Sequence, residues 1–263
     1  MATFLSLYSG SSGNCALIGE NGRWLCVDMG KNCKTTLAAL YSVGLAAADL
    51  DGILVTHEHS DHVSGLKVFL KHYPVPVYGS AGTLEALEMY DLVPPGAQLC
   101  PLTTETETVG AFEVRSFHTS HDSADCRGYR ICTPAGHTAA LATDLGTVTQ
   151  EVRAGLGGAD LAVLEANYDP VRLKTGPYPA YLKARIASPR GHLANGDTGA
   201  ALTGLLGDGC ERFALCHLSK ENNTPELALT AVTRAFLDAG ARLGRDGLVQ
   251  VLSRSAVTPA IEF

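Results

Sequence analysis

The chain has 263 residues, with 20 Lys+Arg against 27 Asp+Glu, 46% hydrophobic residues and 18% charged ones. That composition excludes a disordered chain, a collagen-like repeat and a charged tail protein, and the length allows a core of real size. A formal net charge of −7 gives no overall attraction for a polyanion, so a nucleic-acid partner needs a local basic patch.

Spanning a bilayer takes roughly 20 consecutive apolar residues. Gly, Asp, Ser or His interrupts every apolar stretch well before that, which excludes an integral membrane protein. The first basic residue is Arg23 and residues 1–22 hold no long apolar run; lacking both parts of a secretory signal, the protein is expected in the cytoplasm. The eight cysteines form no C-x-x-C pair, and several fall in apolar strand-like runs, as reduced core thiols do.

In chain order, alternating apolar residues predict strands over 3–8, 15–19 and 24–28, the last two joined by Asn21-Gly22, a hairpin signal. A helix over 32–43 ends at Gly44, and the apolar run 52–56 is the next strand. Further helices are predicted over 62–73, 83–90, 181–188, 197–206 and 225–239, and strands over 112–117, 129–133, 138–142, 161–165, 213–216 and 248–252. No linker, low-complexity tract or fixed-period repeat divides the chain, so residues 1–263 form one expected domain. Many strands with helices interspersed imply an α/β fold with helices on the outer faces of stacked sheets.

Directly after the strand 52–56 comes His57-Glu58-His59-Ser60-Asp61-His62. In an extended segment His57, His59 and Asp61 share one face, and His62 at the start of a helix can turn toward the same space. Imidazole and carboxylate donors suit Zn, Mn or Fe. A closed coordination sphere needs donors from several directions, and other strand ends supply them: His118 and His121 after 112–117, Asp144 after 138–142, His217 after 213–216. Each of these also has a plainer reading, Asp144 as a turn residue before Gly146, His217 as a core histidine and His121 as a loop residue. His72 and His137 are expected at the surface.

This order of motifs resembles the metallo-β-lactamase-fold superfamily along the whole chain. More narrowly, Ser9-Gly10-Ser11-Ser12-Gly13-Asn14, Thr56 to His62, Ser120-His121-Asp122, Thr143-Asp144-Leu145-Gly146, Gly191-His192-Leu193 and the run from His217 to Pro225 resemble its YycJ/WalJ exonuclease-like branch. The resemblance implies a four-layer αββα sandwich with two divalent ions at one edge, and a 5′→3′ exonuclease activity on DNA. By motif, His57, His59 and His121 would hold one ion and Asp61, His62 and His217 the other, with Asp144 between them; His118 is the less favoured substitute for His121. Where relatives often carry His, this chain has Tyr168.

Two ions roughly 3.5–4 Å apart lower the pKa of a shared water and clamp both the attacking and the leaving oxygen of a phosphodiester. Asp61 and His192 are the expected catalytic residues, His192 protonating the leaving oxygen or holding a nonbridging one. His192 could equally cap a helix or lie at the surface. Glu165 is a candidate to orient a ligand histidine, or a buried ion-pair partner. Residues 171–196 contain Arg172, Lys174, Lys183, Arg185 and Arg190 and no Asp or Glu, a local patch where a polyanion could approach. Lys183, Arg185 and Arg190, with Ser11, Ser12 and Asn14 of the first loop, are the expected substrate-binding residues; the plainer readings are a solvated helix face for the basic stretch and a flexible turn for residues 9–14. The competing readings are a hydrolase of a small ester, lactone, thioester or cyclic phosphodiester, and a non-catalytic metal-stabilised binding protein.

Overall fold

Side chains alternate along a strand, so one sheet can feed two apolar layers. In the computed structural model, which describes residues 1–263, β1 (Thr3–Tyr8) sends Phe4 into one cluster and Leu5 and Leu7 into another. β2 (Cys15–Glu20) and β3 (Arg23–Val27) continue an antiparallel meander. Both residues of the Asn21-Gly22 turn have positive φ, 53° and 79°, as a tight hairpin requires. The chain crosses through α1 (Cys33–Ser42) to β4 (Leu50–Leu54), and β5 (Val77–Gly79) and β6 (Leu99–Pro101) add in parallel. Their connections carry α2 (Ser60–Val63), α3 (Leu66–His72) and α4 (Ala81–Met89).

The second half repeats this plan. β7 (Thr106–Val109), β8 (Phe112–His118), β9 (Arg127–Cys132) and β10 (Thr138–Ala142) run antiparallel, and β11 (Leu161–Glu165), β12 (Arg212–Cys216) and β13 (Leu248–Val251) add in parallel. Between them lie α5 (Gln150–Leu156), α6 (Pro170–Thr175), α7 (Ala180–Ile186), α8 (Asn195–Gly207) and α9 (Pro225–Asp238). β14 (Ile261–Glu262) returns to pair with β1.

Three apolar clusters separate the layers. Phe4, Leu25 and Leu54 of the first sheet meet Phe112, Tyr129 and Val163 of the second. Leu40, Phe69 and Leu84 press α1, α3 and α4 onto the first sheet, and Val152, Leu202 and Phe236 press α5, α8 and α9 onto the second. The result is the helix, sheet, sheet, helix sandwich expected from the sequence. All eight cysteines are free thiols, six of them buried.

The helix expected over 62–73 is broken at Ser64-Gly65 into α2 and α3. A Cβ at Gly65 would collide with the Lys31 carbonyl oxygen, and the Gly65 amide donates to the Met29 carbonyl at 2.9 Å. This close approach turns the chain so that Asp61 and His62 face the sheet edge. The sequence pattern does not display β5, β6, β7, β14, α5 or α6: β5, β6 and β14 have only two or three residues, too few to repeat a period, and β7 is Thr-Glu-Thr-Val, with a single apolar side chain.

Candidate metal centre

The site is assembled where strands leave their sheets. Asp28 follows β3, Thr56 and His57 extend β4, His59 caps α2, and Asp61 and His62 occupy the first turn of that helix. His121 follows β8, Asp144 follows β10, Glu165 ends β11 and His217 follows β12. Asp28, Asp144 and His217 have φ of 61°, 52° and 53°. Non-glycine residues seldom adopt this left-handed conformation, and such strain collects at functional sites. Here it turns each side chain off its strand end and into the shared edge.

Two groups of donors result. The rings of His57, His59 and His121 form a triangle with centroid separations of 4.6, 5.1 and 5.1 Å. Asp61, His62 and His217 form the second: Asp61 Oδ2 lies 3.4 Å from His217 Nε2 and 3.7 Å from His62 Nε2. Asp144 lies between them, with Oδ2 3.0 Å from His62 Nε2 and Oδ1 3.8 Å from His121 Nε2. Within each group the donor atoms lie within 4.8 Å of one another.

Hydrogen bonds behind the rings decide which nitrogen faces inward. Asp28 Oδ2 accepts from His62 Nδ1 at 2.7 Å, Glu165 Oε1 from His217 Nδ1 at 2.7 Å, and the Gly191 carbonyl from His121 Nδ1 at 3.2 Å. Thr56 Oγ1 gives its proton to Asp28 at 2.9 Å and so can accept from His57 Nδ1 at 3.1 Å. That leaves His57 Nε2 fully buried with no partner. An orphaned imidazole nitrogen among carboxylates and further imidazoles is what a divalent-ion site requires, so these residues fit such ions.

The charge state agrees. Burial, reinforced by neighbouring imidazoles, holds His57 well below the usual histidine range, and burial lowers His121 too; both are neutral, as ligands must be. Burial opposes charge on His62 and His217 as well, but Asp28 and Asp144 hold His62 well above its ordinary value, and Asp144, Asp61 and Glu165 push His217 up to about 10. Asp144 is kept well below the carboxylate range, against its burial, by His217 and His62. Protons on His62 and His217 therefore balance the buried carboxylates where a cation could replace them.

His192 leans over the gap between the groups, 5.3 Å by ring centroid from both His121 and His217, with Nδ1 donating to Glu165 Oε1 at 2.7 Å. One buried carboxylate thus holds two imidazoles. His118 lies outside the cluster, half-exposed and hydrogen-bonded to Glu151 at 2.8 Å, so it does not replace His121. Tyr168 is buried against Leu173, Ile186 and Ala194 beneath α6 and α7.

The expected substrate-binding residues divide. Ser11 and Ser12 are exposed at the tip of their loop. Asn14 is buried, bonded to Gly10 and 3.1 Å from His62 Nε2, so it shapes the loop from within. Arg185 pairs with Asp122 at 2.7 Å, Arg190 donates to the His121 carbonyl at 3.1 Å, and Lys183 donates to the Lys174 carbonyl at 2.8 Å. The basic stretch is therefore partly spent on holding the His121 loop. Sequence reasoning overlooked Asp28; the available signal was an Asp at the end of a buried strand, followed by Met29-Gly30.

A four-layer αββα sandwich with these donors at its strand ends defines a β-lactamase-superfamily hydrolase, and the family described as "Beta-lactamase superfamily domain" matches residues 23–217. The chain belongs to this superfamily and, within it, to the YycJ/WalJ branch. It is 36% identical over 242 residues to "Exodeoxyribonuclease YycJ" of Bacillus anthracis, covering 92% of this chain and 91% of that one. It is 34% identical over 260 residues to "Exodeoxyribonuclease WalJ" of Streptococcus pneumoniae serotype 2 (strain D39), covering 98% and 96%. The crystal structure of YhfI from Bacillus subtilis shares the fold, with a TM-score of 0.73 at 18% identity over 98% of both chains.

Proposed function

We propose that this protein is a cytoplasmic, single-domain phosphodiesterase that degrades DNA from an end in the 5′→3′ direction. The observation that carries the reading is identity of 34–36% along nearly the whole chain to two proteins named exodeoxyribonucleases. His57, His59 and His121 are assigned to one divalent ion, Asp61, His62 and His217 to a second, and Asp144 to both. Zn, Mn and Fe all suit these donors. Two such ions, when bound, would supply a nucleophile at neutral pH and offset charge on the attacking and leaving oxygens.

The protein's own groups do the rest. Glu165 holds His192 with Nδ1 protonated, which leaves Nε2 to carry a proton to the leaving oxygen or to hold a nonbridging one. Neutral His57 and His121 present lone pairs because burial disfavours their protonation. Arg172, Lys174 and Lys183 on α6 and α7 give the strand a basic approach, and Arg185 and Arg190 fix the His121 loop beside it. End-labelled DNA and RNA incubated with metal-loaded protein, beside Asp61→Ala, test this. Stepwise shortening of DNA from its 5′ end, lost in Asp61→Ala, is expected; hydrolysis confined to a small ester or cyclic phosphodiester refutes it.

A further inference from the structure

We infer that residues 9–14, together with Lys31 and Arg254, form a pocket for the terminal phosphate of a DNA strand, on the Asp61/His217 side of the centre. The inference rests on the nuclease reading above. The loop between β1 and β2 is tied to that side at both ends: the Asn14 amide donates to the Asp61 carbonyl at 2.8 Å, and Ser9 Oγ accepts from the His217 amide at 2.9 Å. The amides of Ser9, Gly10, Gly13 and Asn14 all donate within the protein. Those of Ser11 and Ser12, exposed at the tip, donate to nothing, and their two hydroxyls are likewise free of protein partners. Adjacent free amides beside hydroxyls are an anion cradle.

The two glycines of the loop seat two cations. A Cβ at Gly10 would lie 2.8 Å from Arg254 Cγ, and one at Gly13 2.5 Å from Lys31 Cγ, so both side-chain stems lie in space that only glycine leaves open. Neither cation has a carboxylate within salt-bridge distance. Lys31 Nζ stands 4.5 Å over the Tyr8 ring, and the Arg254 guanidinium donates to the carbonyls of Leu218 at 3.3 Å and Ser219 at 3.0 Å. Arg185, across the site, is by contrast neutralised by Asp122.

Charge selects the ligand. A terminal phosphate monoester carries about −1.5 to −2 at neutral pH, whereas an internal diester carries a single negative charge. Two cations without carboxylate partners, their stems packed against the two glycines on either side of Ser11-Ser12, match the monoester. Such a pocket beside the metal centre would place the first internal phosphodiester at the reacting atoms, which makes cleavage start from a phosphorylated end.

The test is fluorescence-anisotropy titration of the metal-loaded full chain with cleavage-resistant phosphorothioate oligonucleotides bearing a 5′-phosphate, a 3′-phosphate or no terminal phosphate. The expected result is at least about tenfold tighter binding of the 5′-phosphorylated strand than of the 5′-hydroxyl strand, the scale of one charge-assisted contact. Lys31→Met, which keeps the stem against Gly13, and Arg254→Gln should each cut that ratio to below about threefold, and Lys31→Arg should retain it. Arg234→Met, on the far helix α9, should leave the ratio unchanged. Thermal unfolding of each variant confirms that it is folded. Equal affinity for both ends, or a 5′ preference that survives in both Lys31→Met and Arg254→Gln, overturns the pocket. If DNA is degraded without end preference, the pocket alone falls; if no oligonucleotide is bound while a small ester is hydrolysed, the nuclease reading falls with it.

Discussion

Asp28→Asn separates the geometry of the site from its charge. Asp28 Oδ1 accepts from the Thr56 amide at 2.8 Å, and Oδ2 accepts from His62 Nδ1 at 2.7 Å and from Thr56 Oγ1 at 2.9 Å. Asparagine tolerates the φ of 61° at this position as well as aspartate does, so the backbone should not move. It can keep the Thr56 amide bond with its oxygen, but then turns an NH₂ toward His62 Nδ1. Two donors cannot face each other at that distance. His62 must shift its proton to Nε2, the atom 3.0 Å from Asp144, and lose the lone pair it offers the centre. Partners behind metal ligands are typically worth 10- to 100-fold in metal affinity, or about 1.4–2.7 kcal/mol. Asp28→Ala strands three buried donors at about 1–3 kcal/mol each before relaxation, so about 3 kcal/mol or more of stability should go as well. Calorimetric titration with Zn or Mn should show one of two sites weakened in Asp28→Asn, with a thermal midpoint close to the parent protein's. Unchanged affinity at both sites would refute the tautomer argument.

Three further outcomes follow from the same geometry. His217, raised to about 10, contributes stability that is complete below its unfolded value of about 6.5 and fades as pH climbs toward 10. Asp144, held low, contributes stability above about pH 4 that is lost on acidification. Metal-free protein in chelator should therefore lose thermal stability from pH 7 to 10, and divalent ions should flatten that limb by taking the proton's place; a flat metal-free profile contradicts this. A Cβ at Gly30 would overlap the Asp61 carbonyl oxygen and come within 2.5 Å of the Asn14 amide nitrogen, so Gly30→Ala should cost about 1–3 kcal/mol and reduce metal uptake, and wild-type behaviour would show that the contact yields. Lys174→Ala with Lys183→Ala should weaken DNA cleavage and lower its salt dependence, whereas Arg190→Ala should slow DNA and a small phosphodiester alike by loosening the His121 loop; an Arg190→Ala defect confined to DNA would reverse that assignment.

The run from His57 to His62 marked the centre from local order alone, because four potential ligands within six residues after an apolar strand need no tertiary knowledge to be noticed. Period-two alternation exposed most strands, and with interspersed helices it implied the layered fold. Short elements escaped for want of repeats, and the break at Gly65 escaped because its cause is a backbone contact with Lys31, distant in sequence. Asp28 escaped for a related reason: its hydrogen bond to His62 spans 34 residues and leaves no local pattern.

By itself, then, the sequence determined which side chains can ligate a cation and which segments are apolar enough to carry them, since both are properties of residue type and spacing. The motif order pointed to His121 over His118 and to Asp144 between two donor groups, whereas the tertiary structure brought those side chains within reach of one another and set Arg185 against Asp122 while leaving Lys31 and Arg254 their charge. Those choices depend on which strand ends meet across two sheets and which opposite charges come within a few ångströms. Distances of that kind are set by packing between residues far apart in the chain.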